Sequence, residues 1–134
     1  MVANIYGETG GNLRKTAAQI TDDIVATTIE ELENYPGIPN IILGDLNADP
    51  DDIPSIKELL EEHAWTDIGA VASIWGGVDK EPTCLATNSV KPTRRDYRFM
   101  NPAMLPMVAS FRVVKSDTFP VHQPIEVILK AGRL

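Results

Sequence analysis

This sequence of 134 residues contains little cysteine and no long hydrophobic run. Because Cys84 is its one cysteine, an intrachain disulfide cannot form and a cysteine-based zinc site is excluded. No apolar stretch approaches the ~20 residues that a membrane-spanning helix needs. We expect no signal peptide, because the residues after Met1 include no basic segment. Together these absences predict an intracellular protein, located in the cytoplasm or the nucleus.

Basic residues are also scarce in most of the chain, and their distribution is uneven. The net charge is −7, which argues against a protein that coats nucleic acid along its whole surface. Residues 1–90 hold 4 basic and 16 acidic residues, whereas residues 91–134 hold 8 basic and 3 acidic ones. The stretch 91–115 contains a single acid, Asp96. This stretch is either a solvated basic surface or a local phosphate-binding face.

The first half of the chain reads as alternating strands and helices. We predict strands at 2–6 and 38–44 and a second helix from Ser55 to His63. A first helix is predicted from Leu13, with Asn12 as its N-cap and Tyr-Pro-Gly at 35–37 as its end. Apolar positions of that helix recur every three or four residues and define its predicted buried face: Leu13, Ala17, Ile20, Ile24, Thr28 and Leu32.

The second half reads mainly as strands, near 83–87 and at 94–102, 107–117 and 124–130. The remainder of 65–92 reads as loops rich in glycine and proline. There is no internal repeat or interdomain linker, so we predict a single domain. Its predicted fold class is α/β (α+β), with helices packed on a mixed β-sheet that becomes more antiparallel in the second half.

The segment "NIILGDLNADPDD" places an acid and an amide two residues apart at the end of a strand. The strand period of two puts Asp45 and Asn47 on one side, at the end of a strand where α/β sheets commonly bind ligands. A carboxylate can bind a hard cation or accept a proton from water, and a carboxamide can donate to phosphate. The alternative is a loop with an Asx-turn.

Two later segments also carry candidate chemistry. In "TRRDYRF" at 93–99, Asp96 either forms surface ion pairs with the neighbouring arginines or orients a histidine. In "FPVHQPIEV" at 119–127, His122 lies between two prolines just before a strand. It is either a structural loop residue or a functional one, which acts as a general acid or donates to a scissile phosphate. His63, at the end of an acidic helix, is interpreted as structural.

The order of these segments resembles the endonuclease/exonuclease/phosphatase superfamily, which has the DNase I-like fold. The resemblance depends on Gly-Asp-Leu-Asn, Arg-x-Asp-Tyr and His-x-Pro, on the opening "VANIYG", and on "PTC" before the Arg-x-Asp-Tyr strand. The combination is most similar to endonuclease domains linked to retroelement reverse transcriptases. The resemblance covers only the second half of the family's four-layer sandwich. It therefore implies that residues 1–134 are a single partial domain whose N-terminal half is missing.

The resemblance assigns a role to each candidate residue. Asp45 would orient or deprotonate the attacking water, Asn47 and His122 would bind the scissile phosphate, and Asp96 would hold His122. Tyr6 would contact the phosphate near the leaving group. The implied reaction is hydrolysis of a phosphodiester that depends on Mg²⁺ (or Mn²⁺), with nucleic acid as substrate. The arginines Arg94 and Arg95 are candidate contacts to the nucleic-acid backbone.

The sequence departs from the family pattern directly before His122. The family has an acid there, and this chain has Val121, which cannot bind a metal. Asp117 can replace that acid beside Asp45 as a metal ligand only if its loop bends back. The missing half also leaves an apolar sheet face exposed, which predicts self-association. Two alternatives remain: a phosphoinositide or sphingomyelin-type phosphodiesterase or phosphatase, and a catalytically inactive remnant.

Overall fold

In a computed structural model, described for residues 1–87 and 89–130, the chain forms two β-sheets with two α-helices on one side. The strands and α-helices follow one another along the chain as β1 (Val2–Tyr6), α1 (Lys15–Glu33), β2 (Ile41–Asp45), α2 (Pro54–Glu62), β3 (Thr66–Asp67), β4 (Asp96–Met100), β5 (Val108–Val113) and β6 (Ile125–Leu129). A 3₁₀ segment at Ile68–Trp75 follows β3. Within the described ranges, neither helix is long and apolar enough to cross a lipid bilayer.

The larger sheet has the strand order β1-β2-β4-β3, and the smaller sheet consists of β5 and β6. Strands β1 and β2 are parallel, whereas β4 is antiparallel to both of its neighbours and β5 is antiparallel to β6. The predicted mixed sheet with a more antiparallel second half is therefore confirmed.

The register of the larger sheet places three rows of residues on the face that looks toward the smaller sheet. Residues directly opposite one another across β1, β2 and β4 form the rows Val2–Ile41–Met100, Asn4–Leu43–Arg98 and Tyr6–Asp45–Asp96. Because side chains alternate along a strand, each row shares one face of the sheet. The polar row lies at one end of this face.

Two hydrophobic cores lie on opposite faces of the larger sheet. The first joins α1 and α2 to the sheet and includes Val25, Ile42, Ile56, Tyr97 and Phe99. The second lies between the two sheets and includes Ile41, Ile68, Met100, Val108 and Phe111. The near-continuous apolar sequence of β2 follows from this arrangement, because its two faces contact different cores.

The first helix differs from its prediction in both its start and its buried face. It begins at Lys15, and Arg14 occupies the N-cap position without a capping side-chain bond, so the prediction of Asn12 is wrong. Its buried residues are Ala17, Thr21, Val25 and Leu32, whereas Leu13, Ile20 and Ile24 are exposed. The pattern of apolar residues therefore predicted a buried helix face that is rotated by about one residue from the observed one.

The remaining differences lie where long-range contacts shape the chain. No strand forms at 83–87; Cys84 instead makes isolated bridges to Thr93 and His122. The sequence pattern predicts loop at the positions of the 3₁₀ segment and of the two-residue strand β3. Strand β5 ends at Val113, four residues before the predicted end. Short elements of this kind depend on neighbours that a local pattern does not contain.

One buried ion pair fixes the start of β4 to the end of β3. The Arg94 guanidinium donates to both Asp67 carboxylate oxygens, at 2.8 and 2.7 Å, and lies 4.5 Å from the centre of the Tyr97 ring. The two side chains are only 15% and 8% exposed. The bidentate bond and the stacking together compensate the cost of burying both charges.

We predict that Arg94→Met destabilises the protein by about 3–5 kcal/mol, because it leaves the Asp67 carboxylate buried without its partner. Urea denaturation followed by circular dichroism measures this change. Arg112→Met is the matched control, since Arg112 pairs with Glu126 on the surface and is 63% exposed. Equal effects of the two substitutions would contradict the structural role assigned to Arg94.

Candidate active site

Three polar side chains meet at one end of the larger sheet. Tyr6 and Asp45 are the last residues of the parallel strands β1 and β2, and Asp96 is the first residue of the antiparallel strand β4. The register places Asp45 directly between the other two. Carboxyl ends of parallel strands are the edge at which α/β sheets bind ligands. Tyr6 is 71% exposed there and is therefore accessible to a ligand.

His122 lies against both carboxylates. Its Nδ1 is 2.8 Å from Asp96 Oδ2, and its Nε2 is 3.5 Å from Asp45 Oδ2. A carboxylate only accepts hydrogen bonds, so Nδ1 carries a proton and donates it to Asp96. This bond fixes the orientation of the imidazole and leaves Nε2 directed at the other carboxylate. The structure thus brings together Asp45, Asp96 and His122, which lie far apart in sequence.

The backbone around Thr83 holds this arrangement in place. The buried Thr83 hydroxyl accepts hydrogen bonds from the main-chain N–H groups of Arg95 and Asp96, both at 3.1 Å. The Thr83 carbonyl accepts a further bond from the N–H of Gln123, next to His122. Sequence reasoning missed Thr83, because a threonine within a loop carries no distinguishing pattern.

Asn47 lies just beyond β2, in a left-handed backbone conformation with φ of 50°. Its main-chain N–H donates to Asp45 Oδ1 at 2.9 Å, which is the Asx-type bond considered as the alternative for this segment. Its Nδ2 donates to the Gly7 carbonyl at 2.8 Å. Asn47 therefore takes part in a turn and at the same time holds its side chain at the edge of the polar row.

The Asp45 carboxyl is less acidic than an ordinary aspartate. Burial is the main cause of its raised pKa, and the negative charge of Asp96 adds to the effect. The hydrogen bond from the Asn47 N–H, and then the positive charges of His122 and Arg95, oppose the shift. The net result is a carboxyl group whose charged form is disfavoured in the folded protein.

The donor set fits a divalent cation. Among the described residues, ligand atoms of Asp45, Asp96 and His122 all lie within 4.8 Å of one another. Carboxylate oxygens suit Mg²⁺, and a set that includes imidazole also suits Mn²⁺. A cation here would supply the positive charge that Asp45 lacks. Asp117 is exposed in the turn after β5 and is not part of this group, so the structure does not place it as the substitute for Val121.

Most of the basic stretch is engaged in ion pairs. Arg94 is bound to Asp67 and therefore does not face the polar row. Arg95 bonds the exposed Asp49 at 3.2 Å, and its charge acts on Asp45. Ion pairs also hold Arg112 to Glu126 and Lys115 to Glu81. The surface interpretation thus describes most of this stretch, and Arg95 is the arginine whose charge acts on Asp45.

The single cysteine also borders the site. Its Sγ lies 3.8 Å from His122 Nε2, because Cys84 is paired through its backbone with His122. Burial and the nearby carboxylates of Asp96 and Asp45 raise the pKa of the Cys84 thiol. The thiol is therefore neutral at physiological pH, which argues against a nucleophilic role.

Comparison with solved structures shows which fold the chain has. The chain has the DNase I-like fold of the endonuclease/exonuclease/phosphatase superfamily, and the resemblance stated from its motifs is confirmed at the level of fold. No protein-family model matches the sequence. A comparison with curated proteins finds no relative either.

Solved structures of this fold include a 3'-5' exonuclease, NExo, from Neisseria meningitidis, with a TM-score of 0.74 and 17% identity. A second structure of NExo, named as a 3' phosphatase and bound to a product DNA hairpin, has a TM-score of 0.73 and the same identity. Each match covers 97% of this chain and 61% of the NExo chain. A mannosyl-6-phosphatase from Bacteroides thetaiotaomicron has a TM-score of 0.59 and 19% identity, over 94% of this chain and 49% of its own. This chain therefore spans less than two thirds of each.

We predict that Asp45→Asn raises the melting temperature at neutral pH in EDTA, because it removes a charge that the folded state disfavours. A raised pKa means that folding loses stability as pH rises through the interval between the unfolded and folded values. The gain in melting temperature should therefore be present at pH values above this interval and become smaller at pH values below it. Differential scanning calorimetry from pH 3 to pH 7.5 measures it, and a lower melting temperature at pH 7.5 would contradict it.

Proposed function

We propose that this chain forms the phosphate-binding edge of a phosphodiester hydrolase that uses Mg²⁺ or Mn²⁺ and acts as an endonuclease on nucleic acid. The observation that carries this proposal is the contact of His122 with two carboxylates, one at the end of β2 and one at the start of β4. In that contact, His122 is the hydrogen-bond donor for phosphate and Asp45 is the carboxylate base. Both belong to the candidate metal site.

Asp45 and Asp96, with His122 beside them, would hold the cation. A divalent cation at such a site neutralises the negative charge of the phosphoryl group and polarises its oxygens. This requirement explains why two carboxylates are placed close together at a cost in stability.

His122 and Asp96 act as a pair in this proposal. Asp96 accepts the Nδ1 proton and keeps the imidazole in one orientation, so that Nε2 can donate to a phosphoryl oxygen. Asp45, once ionised, accepts the proton of the attacking water.

The remaining residues of the row position the phosphate. Asn47 has its Nδ2 bound to Gly7, and it would turn this donor toward a phosphoryl oxygen as the substrate enters. The exposed Tyr6 hydroxyl would contact the phosphate near the leaving group. Arg95, whose partner Asp49 is 61% exposed, would exchange this ion pair for a contact to the nucleic-acid backbone.

Two features support nucleic acid as the substrate class. A protein of the same fold, NExo, has been solved with a DNA product, and it is named as both an exonuclease and a phosphatase. Arg95, whose charge acts on Asp45, also favours a phosphate backbone over a neutral ligand. The mannosyl-6-phosphatase of the same fold supports the alternative of a phosphomonoesterase.

The activity belongs to the intact protein in this proposal. Each of the solved NExo chains extends well beyond the part that this chain matches. We propose that residues 1–134 are one part of a domain, and that the missing N-terminal half supplies further site residues. An isolated chain without that half would be an inactive remnant.

The test is the nicking of supercoiled plasmid by the intact protein in Mg²⁺, with His122→Asn and Asp96→Asn as variants. We predict that each substitution lowers the rate by about 10²- to 10⁴-fold, because phosphate loses its oriented donor. His63→Asn is the matched control. This second histidine is exposed, pairs weakly with Glu58 at 3.8 Å and should keep full activity.

Parallel assays on DNA with a 3'-phosphate and on a sugar phosphate separate the alternatives. A protein that releases phosphate from those substrates and leaves the plasmid intact is a phosphatase of this fold. An unchanged rate for both site variants would remove the roles assigned to His122 and Asp96. A well-folded intact protein with no activity on any of the substrates would favour the inactive remnant.

A further inference from the structure

A cleft of about 240 Å³ lies where the two helices end, at the start of β2. Asn40, which lines this helix-end cleft, directly precedes β2, whereas Asp45 is the last residue of that strand. The cleft and the candidate active site therefore lie at opposite ends of β2. The lining residues that bear on its chemistry are Leu32, Glu33, Tyr35, Asn40, Leu59 and Trp65.

Asn40 is a buried lining residue whose side chain has an acceptor without a donor. The residue is only 3% exposed, and its Oδ1 has no hydrogen-bond partner among the residues that the structure describes. The main chain of Asn40 is engaged, because its N–H donates to Asn101 Oδ1 at 3.0 Å and its carbonyl accepts from the Asn101 N–H. The Asn40 Nδ2 has a long contact of 3.5 Å with the Tyr35 carbonyl. A buried acceptor without a donor is costly, so a ligand that brings N–H groups would remove this cost.

The helix ends at this cleft favour a positively charged ligand. The last carbonyls of a helix carry partial negative charge, which a basic side chain in the last turn commonly offsets. Neither α1 nor α2 has a basic residue in its last turn. His63 follows α2, but an imidazole offsets this charge only when it is protonated. The last turns contain acids instead, namely Glu30, Glu31 and Glu33 in α1 and Glu61 and Glu62 in α2.

Two aromatic side chains border the same cleft. Tyr35 is 45% exposed, and Trp65 is half-buried against the first core. The face of an aromatic ring attracts a cation that lies within about 6 Å of its centre, and tryptophan attracts it most strongly. Together with Asn40, these rings favour an organic cation, which has both apolar groups and N–H donors, over an inorganic ion or a water molecule.

A second cleft, of about 200 Å³, adjoins the first along the groove between α1 and α2. The two clefts share Ile29, Glu33 and Leu59, and the second adds the carboxylates of Glu30 and Glu58. Glu30 and Glu33 are three positions apart on α1, so their Cβ atoms are about 5–6 Å apart on one face of the helix. This spacing is similar to that of ammonium groups joined by a few methylene groups. The groove therefore favours a ligand with more than one ammonium group.

We propose that the helix-end cleft binds a linear aliphatic polyamine. One ammonium group would lie against the rings of Tyr35 and Trp65 and donate to Asn40 Oδ1, after a turn of the amide that its long contact permits. The next ammonium group would lie beside Glu33 and Glu30 in the adjoining groove. This site is separate from the candidate active site, and the proposal does not rest on the proposed catalytic activity.

The test is a titration of the intact protein with spermidine, followed by NMR of the two tryptophan indole N–H groups. The buffer is at pH 8, where an ordinary imidazole is neutral, because His63 also borders the cleft. It contains about 0.15 M salt, which screens diffuse attraction to the acidic surface. We expect a saturable shift of the Trp65 signal and no shift of the Trp75 signal, since Trp75 packs against the second core.

Substitutions separate a defined site from general attraction to an acidic protein. Asn40→Leu should weaken spermidine binding by about 10-fold, because a buried acceptor is lost, and should not lower the melting temperature of the ligand-free protein. Glu33→Gln, at an exposed position, should weaken binding by about threefold through the loss of an ion pair. Glu61→Gln is the matched control, because Glu61 is also an exposed glutamate at a helix end but lines neither cleft. It should leave the affinity unchanged.

Ligands of related chemistry test the assigned contacts. Butylamine has a single ammonium group and tetramethylammonium has no N–H donor, so each should bind more weakly than spermidine by about threefold or more. The proposal is overturned if spermidine leaves the Trp65 signal unchanged, or if Mg²⁺ displaces spermidine at equal concentration. It is also overturned if Glu61→Gln weakens binding as much as Glu33→Gln does, since the attraction is then not confined to the cleft.

Discussion

The pairing of β4 with β2 is the constraint on which the rest of the structure depends. Its register sets Asp96 opposite Asp45 on one face, while Tyr97 and Phe99 enter the first core on the other, with their rings stacked 5.6 Å apart. A slip of one residue would exchange the faces, burying charged side chains and exposing both aromatic rings. The hydrophobic energy of the first core therefore holds the polar row in place.

On its other side, β2 pairs with β1, and a glycine makes this second pairing possible. Gly44 has φ of 141°, and a Cβ at this position would lie 1.8 Å from the Ile5 carbonyl oxygen. Strand β1 can thus approach β2 closely enough to place Tyr6 beside Asp45. The polar row is consequently a product of backbone packing over three strands, and each of its members is fixed by a different contact.

Much of the site could be predicted from the sequence, because strand alternation is a local property. The spacing of Asp45 and Asn47 and the strand character around Asp96 followed from it, and the resemblance supplied their connection with His122. Thr83 could not be found in this way, since its role is to accept two N–H groups that arrive from another part of the chain. The ion pair of Arg94 could not be found for a similar reason: its partner, Asp67, lies 27 residues earlier.

The fold was predicted best where apolar periodicity and burial coincide. The prediction was less accurate at α1, because the apolar residues of this helix occupy more of its surface than one face can bury. Ile20 and Ile24 therefore remain exposed. The pattern shows which residues are apolar, and packing against α2 and the sheet decides which of them are buried. Thr21 is buried because its hydroxyl accepts from the Glu8 N–H and donates to the Ala17 carbonyl.

The strand order also has a consequence for synthesis on the ribosome. Strand β3 is made before β4, yet β4 is its partner in the larger sheet, between β3 and β2. The end of β3 and the carboxylate of Asp67 must therefore wait, unpaired, until Arg94 and β4 have been added to the growing chain. The helices and the parallel pair of β1 and β2 have been made by then, and β2 also waits for β4 as its second neighbour. Completion of the sheet is thus a late event that closes a long loop, and such closures are what slow the folding of mixed sheets.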